Sequence, residues 1–361
     1  MDDRENESFV GNDTCTTDLT AHHRAIWILE ILARQICFPL LFDWINFCVS
    51  IIGVVGNILI IAVYSKLGFF ESIHISYVAL AAVDLCSFFP GLAQTLLRKV
   101  FLPLANIHVQ DNFQFGAVFM AWPYTAFSRT SGLVTAWVSL ERCLCVACPM
   151  AVKTLITRRA TVAAITAILT LGCAPLLSAF LGVSFHWDFN LGNNGTLVIL
   201  TKNGSNKLLV LLKMIAGVLL GALYPALSWI TVSVCTTVLV VKLKQSARWR
   251  QRNACPRNTV NTVRGREATM STQRLRVTKT VVIVASLFIA LSLPLSVHLL
   301  LTIAMKETYR VDGTYPYIFQ VMSFITLTLN HVNSSANIFV FTAMGSKFRN
   351  TLKNILHFKC S

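Results

Sequence analysis

Seven runs of apolar residues, each long enough to cross a hydrocarbon core as a helix, constrain this chain more than any other feature. They are Trp44 to Tyr64, Ile73 to Leu97 (broken by Asp84), Phe113 to Leu140 (broken by Arg129), Ala160 to Leu181, Met214 to Val241, Thr280 to Met305 and Gly313 to Met344. A helix needs about 20 residues to span the core, and most of these runs lack the alternation of a barrel strand and exceed its length. The expected fold is an all-α membrane protein, a seven-transmembrane helix bundle. An odd number of spans puts the termini on opposite sides.

Charge supplies the orientation. Only 13% of the 361 residues are charged, yet Lys and Arg number 31 against 16 Asp and Glu. A net charge of +15 on a soluble domain would point to nucleic acid, but soluble domains run about 25% charged, so lipid is the solvent here and no nucleic-acid partner is expected. With the N-terminus outside, the inner segments hold 20 of the 31: Lys66, Arg142, Lys153, Arg158, Arg159, eleven from Lys242 to Lys279, and four after Met344. The outer segments hold 10, and Arg129 lies inside a span. Basic residues collect on the cytoplasmic side, so the chain reads as a multi-pass plasma-membrane protein with an extracellular N-terminus.

Glycosylation sequons give a second topology signal, since they are used on the lumenal side. Asn6, Asn12, Asn194 and Asn203 each begin an Asn-x-Ser/Thr triplet, and all four fall outside. Asn333 also heads such a triplet but lies within a span. The tail lacks a basic start followed by an apolar core, so the first span is expected to act as an uncleaved signal. The chain divides into an outer tail (1–42), a membrane domain (43–344) with a basic, mobile third inner loop (about 242–276), and an amphipathic helix with a short inner tail (345–361).

Within the spans, certain residues recur in a recognisable order. Gly56-Asn57 lies in the first span, Leu80-Ala-Ala-Val-Asp84 in the second, and Glu141-Arg142-Cys143 ends the third, with Pro149 seven residues after the arginine. Pro225 marks the fifth, Phe288 and Pro294 the sixth, and Asn333-Ser-Ser-Ala-Asn337-Ile-Phe-Val-Phe341 the seventh. In order and spacing these resemble the rhodopsin-like (class A) G-protein-coupled receptors over nearly the whole chain. The matches are to LAxxD, (D/E)RY and NSxxNPxxY, the last with its proline and tyrosine replaced. Leu140 to Thr157 is similar to invertebrate, particularly molluscan, peptide and chemosensory receptors. The resemblance implies a receptor, not an enzyme, that binds an extracellular ligand and activates a heterotrimeric G protein, with arrestin and kinases as further partners. A neuropeptide-like ligand leads, and small environmental chemicals are the alternative.

A carboxylate mid-span costs roughly 2.5 to 3.5 kcal/mol on insertion scales, so Asp84 should face the bundle interior. By resemblance its neighbours are Asn57, Ser131, Asn333, Ser334 and Asn337. Two readings stand: the cluster holds an allosteric sodium ion, or it is a hydrogen-bond network without one. Arg142 is, by resemblance, held at rest and freed on activation, when the sixth helix moves outward to admit a G-protein C-terminus. The inner end of the sixth span offers Arg274, Arg276 and Lys279 and no acid. That leaves Glu141 as ionic partner, and ligand-independent signalling is expected. Phe288, Pro294, Asn337 and Phe341 occupy switch positions, and Met150, after Pro149, stands where the family inserts an apolar side chain into the G protein; plain helix packing is the other reading. Ser292 replaces the tryptophan of the sixth span, Ser233 a tyrosine of the fifth, and Phe341 keeps the packing of a tyrosine without its hydroxyl.

The family ties the outer end of the third span to the next outer loop by a disulfide. Ala117 stands at the first partner's place, twenty-five residues before Arg142, and Gly182 to Lys207 contains no cysteine. Of the eleven cysteines, Cys15 and Cys37 are reachable from the oxidising side; they either pair, clipping the tail to the first span, or stay free. Cys360 is a palmitoylation candidate beside the apolar Phe348, Leu352, Ile355 and Leu356, which alternate with Lys347, Arg349 and Lys353 and suit anionic lipid. Cys143, Cys145, Cys148 and Cys173 have no His or carboxylate cluster beside them, so no metal is expected beyond sodium at Asp84.

Arg129 lies thirteen positions before Arg142, about 20 Å above the inner face at 1.5 Å per residue. A guanidinium at that depth faces a cavity or a partner. It is read either as an anchor for a carboxylate or other acceptor on the ligand, with Tyr124, Phe127, His298, Asn330 and His331 nearby, or as a structural donor to backbone carbonyls. By resemblance, Tyr124 replaces the aspartate of amine receptors and His331 the retinal lysine of opsins, which excludes amines and a Schiff base and leaves a peptide or small-molecule ligand. A transporter, the distant alternative, would show internal repeats and broken mid-membrane helices, and an enzyme would need a motif such as HExxH or a phosphate loop. The sequence shows none of these.

Overall fold

The computed structural model describes residues 28, 31–32, 44–105, 107–109, 117–148, 156–181, 183–191, 195–202, 206–252, 262–305, 307–309 and 313–357. The first span is the helix Asn46–Leu67, the second Ser72–Leu96, the third Trp122–Ala147, the fourth Arg158–Phe180, the sixth Thr262–Ala304 and the seventh Pro316–Met344. Two helices, Lys207–Val218 and Tyr224–Arg252, make up the fifth. Thr157 and Asn206 cap the fourth and fifth by accepting from the backbone N–H groups of Ala160 and Leu208. Gly68, at φ 81°, ends the first in the left-handed region open to glycine.

Among the described residues, five helices are apolar enough over 18 residues to cross a bilayer on composition alone. The third and seventh are more polar because they sit centrally and turn Arg129, Ser131, Glu141, Asn330, Ser334 and Asn337 inward. Ile51, Ile52, Val55, Leu171, Leu177, Ile230 and Phe339 stay exposed, as lipid-facing residues do. Where the first span meets the second and seventh there is room only for glycine. A Cβ on Gly53 would lie 2.2 Å from Phe88 and 2.6 Å from Ser335 Oγ.

The fifth and sixth helices run past the apolar runs, to Arg252 and from Thr262, into the segment read from sequence as a loop. Lys, Gln, Ala, Arg, Glu and Met favour helix without needing lipid, so apolar content understates helix length.

Three π-helical turns share one cause. Leu97–Phe101, Ala117–Ala121 and Leu219–Leu223 are each followed, two residues on, by a proline: Pro103, Pro123 and Pro225. Proline has no N–H and its ring crowds the carbonyl four residues back, so the preceding turn widens. The Tyr224 N–H accordingly bonds the carbonyl of Leu219, five residues back. The carbonyl of Leu220 would then look to Pro225, which has no N–H to give.

One feature lies outside the helical reading. A three-stranded sheet, in the order β1-β3-β2, caps one end of the bundle: β1 Ile107–Val109, β2 Val183–Leu191 and β3 Gly195–Lys202. β2 and β3 form an antiparallel hairpin with Val183 opposite Lys202, and β1 pairs in parallel with β3. Backbone bonds thus tie the connection between the second and third spans to the connection between the fourth and fifth. At the opposite end, the helix Ser346–His357 buries Phe348 against Tyr64 and Phe341, at ring separations of 5.4 and 5.9 Å, and exposes Lys347, Arg349 and Lys353.

Candidate functional site

At mid-bundle, Asp84 is buried and fully engaged. Its Oδ1 accepts from Ser131 Oγ at 2.6 Å and Ser334 Oγ at 2.8 Å, and its Oδ2 from Asn337 Nδ2 at 2.9 Å. Asn57 Nδ2 donates to the carbonyls of Gly53 (2.8 Å) and Ser334 (3.2 Å), while its Oδ1 is buried without a partner. Asn333 is half-buried and is not among the donors to the carboxylate. Three helices therefore converge on one carboxylate, whose placement in an apolar run these donors make tolerable.

Toward the end of the bundle away from the sheet, Arg142 Nη2 lies 3.2 Å from Glu141 Oε1. Glu141 is itself fully buried and held from the second span: Ser72 Oγ donates to Oε1, and Ser76 Oγ to Oε2 at 2.9 Å. Arg142 is thus fixed through a carboxylate that two serines orient. Phe341 packs against Tyr77 at 4.7 Å and edge-on to Tyr64 at 5.7 Å, so the residue in the tyrosine's place works by ring contact alone. Phe288 joins Ala136, Val232 and Ala285 in a second apolar cluster, and Pro294 lies within the sixth helix. Beside that cluster Trp229 Nε1 donates to Ser292 Oγ at 3.1 Å. The tryptophan missing from the sixth span is replaced by one from the fifth, bonded to the serine that stands in its position.

Four of the six ligand candidates fall among three sets of partners. Arg129, 5% exposed, donates through Nε to the Leu220 carbonyl at 3.1 Å, the acceptor that the π turn and Pro225 leave free. Its Nη2 is buried without a partner. Tyr124 and His331 meet edge-on at 4.9 Å, facing the first, second and seventh spans. Tyr124 donates to the Leu327 carbonyl at 3.3 Å, and His331 Nδ1 lies 3.2 Å from Asn46 Oδ1 and 3.5 Å from Ser50 Oγ.

His298 belongs to a third group. Ser323 Oγ donates to the Phe319 carbonyl at 2.7 Å, so it accepts from His298 Nε2 at 3.0 Å, and His298 Nδ1 accepts from the Tyr309 hydroxyl at 2.8 Å. Burial pushes the Tyr309 phenol above its ordinary pKa, keeping it a donor. Asn330 is buried and bonds its own helix at the Thr326 carbonyl, and Phe127 is half-buried. The sequence position of each candidate gave its depth, and the side chains then took different partners.

Asn6, Asn12, Cys15, Cys37, Pro149, Met150, Asn194, Asn203 and Cys360 lie outside the described residues. Asn46 with Ser50 and Ser72 with Ser76 were missed from sequence, although polar pairs four apart on one helix face are a readable signal. Among the described residues no group of three or more His, Cys, Asp or Glu could hold a metal ion.

The family model for the serpentine type 7TM GPCR chemoreceptor Srw matches residues 44–359. No curated protein matches the chain.

Proposed function

The chain belongs to the Srw family of serpentine 7TM GPCR chemoreceptors, and from that premise we propose a plasma-membrane receptor, N-terminus outside, for small external chemicals that carry a carboxylate or another strong acceptor. The unpartnered Arg129 Nη2 carries this reading. A buried guanidinium with spare donors is costly until an acceptor meets it, and a ligand that supplies one gains a charge-assisted bond. A ligand drawing on Arg129 also bears on Leu220 in the π turn of the fifth span. From there the bond between Trp229 and Ser292 leads to the sixth helix, whose outward movement would free Arg142 for the G protein. A peptide ligand is the second reading, favoured by the likeness of Leu140 to Thr157 to peptide receptors.

Asp84 suits an allosteric sodium ion: its carboxylate and the Ser131 and Ser334 hydroxyls bonded to it are oxygens of the kind hard cations take. The ion would neutralise the buried charge and favour the resting bundle. Kinases and arrestin at the inner face, glycans on Asn6, Asn12, Asn194 and Asn203, and a palmitoyl chain on Cys360 complete the reading.

The test is a screen of small carboxylates and peptides in cells expressing the receptor, read by calcium and cyclic nucleotide. For an acidic agonist, Arg129→Ala should cost about tenfold to a hundredfold in potency at equal surface level, since a hydrogen bond to a charged group contributes about 1.5 to 3 kcal/mol. Unchanged potency would remove the anchor.

A further inference from the structure

A small cavity separate from Arg129 opens between the first, second and seventh spans. It measures about 10 Å³ and is lined by Asn46 and Ser50 of the first span, Gly91 and Leu92 of the second, Met120 before the third, and His331 of the seventh. A space of about 10 to 15 Å³ on this measure holds a single water. Asn46 and His331 are 5% and 1% exposed, and each keeps one buried polar atom without a partner, Nδ2 and Nε2.

The tautomer logic fixes what could fill the space. With His331 Nδ1–H donating to Asn46 Oδ1 at 3.2 Å, Nε2 is a bare acceptor and Asn46 Nδ2 a spare donor. Turning the Asn46 amide over makes Nδ2 the donor to Nδ1, so Nε2 carries the hydrogen and Oδ1 becomes the spare acceptor. Either way one donor and one acceptor remain. A cation or anion would lack a counter-charge among the lining residues, and an apolar group would leave both atoms unsatisfied, which in a membrane interior is costly.

We propose that this cavity is a binding site for one water molecule, which accepts from one of the two residues and donates to the other, and so joins the first span to the seventh. The far side of His331 meets the rings of Tyr124 and Phe88, at 4.9 and 5.2 Å. The water therefore fixes the imidazole between three helices, and it does so whether or not Arg129 anchors the ligand.

Gly91 offers a test that removes no polar group. A Cβ there would lie 3.7 Å from His331 Cε1, an ordinary contact that takes up the room a water needs. Thermal unfolding of the purified full chain is compared for Gly91→Ala in the native background and in an Asn46→Leu, His331→Phe background, where nothing needs a water. Alanine's gain in helix propensity is common to both and cancels. The Tm change caused by Gly91→Ala should be lower by about 3 °C in the native background. Equal changes would overturn the site. Should the double background fail to fold, a density map of the ligand-free receptor fine enough to show waters decides: a peak within hydrogen-bond reach of Asn46 and His331 supports the site, and an empty cavity overturns it.

Discussion

Removing the hydroxyls of Ser72 and Ser76 should switch the receptor toward its active state without touching Arg142 or the ligand pocket. Glu141 is fully buried and takes one hydrogen bond from each serine and one from Arg142. A hydrogen bond to a charged group contributes about 1.5 to 3 kcal/mol, so even the lower figure for two bonds gives about 3 kcal/mol. That stabilisation belongs to the state in which Glu141 holds Arg142. Deleting it favours the alternative by up to about a hundredfold, taking a receptor that is about 1% active at rest to about half active. The assay is ligand-free signalling, by cyclic nucleotide and calcium, of Ser72→Ala, Ser76→Ala and the double variant at matched surface expression. Ser76→Thr, which keeps a hydroxyl, should stay near the native level. Native basal activity should itself exceed that of mock-transfected cells, since the residues leading into the sixth apolar run, Arg274, Arg276 and Lys279, supply no acid to clamp Arg142. A double variant with basal signalling no higher than native would refute the argument.

Other expectations concern stability and coupling. Asp84→Ala strands the Ser131, Ser334 and Asn337 donors and should cost about 3 kcal/mol, read as loss of surface receptor and a lower Tm, whereas Asp84→Asn keeps an acceptor and should lose less. Gly53→Ala forces a methyl into Phe88 and Ser335 and should cost about 1 to 3 kcal/mol, visible as reduced thermal stability; an unchanged Tm would mean the helices separate freely there. Trp229→Phe keeps the ring and removes the bond to Ser292, so it should lower maximal response while leaving surface level intact. Raising sodium should reduce basal signalling in the native receptor and have no such effect in Asp84→Asn; equal responses would argue against an ion at that carboxylate.

The parts of the molecule legible in the sequence were those set by lipid. Long apolar runs announce spans, and a lone carboxylate in one of them announces inward polar neighbours, as Ser131, Ser334 and Asn337 are. The sheet was not legible in this way, because residues such as Leu197 to Leu200 read as apolar wherever they fall, and pairing with Ile107 to Val109 is a long-range choice. Depth along a helix could be counted, but azimuth depends on partners. Arg129, Tyr124 and His298 therefore looked like one pocket in sequence and turn toward the fifth, the seventh and the loop after the sixth in space. Compensation across helices is harder still, since nothing in the sixth span says that Trp229 answers Ser292.

The paired prolines and π turns bear on how any two chains of this kind are matched. Each wide turn adds one residue to a helix, so everything beyond it is rotated by about 100° from where an unbroken count would put it. Counting back thirteen places from Arg142 reaches Arg129 without meeting such a turn, and the correspondence is sound. Counting back twenty-five to Ala117 crosses Ala117–Ala121, and the angular phase slips by one place. The outer helix of the fifth span, Lys207–Val218, is likewise out of step with the inner one, Tyr224–Arg252. A cysteine scan along the third and fifth spans should record that slip directly, as a jump in the periodicity of labelling at each turn.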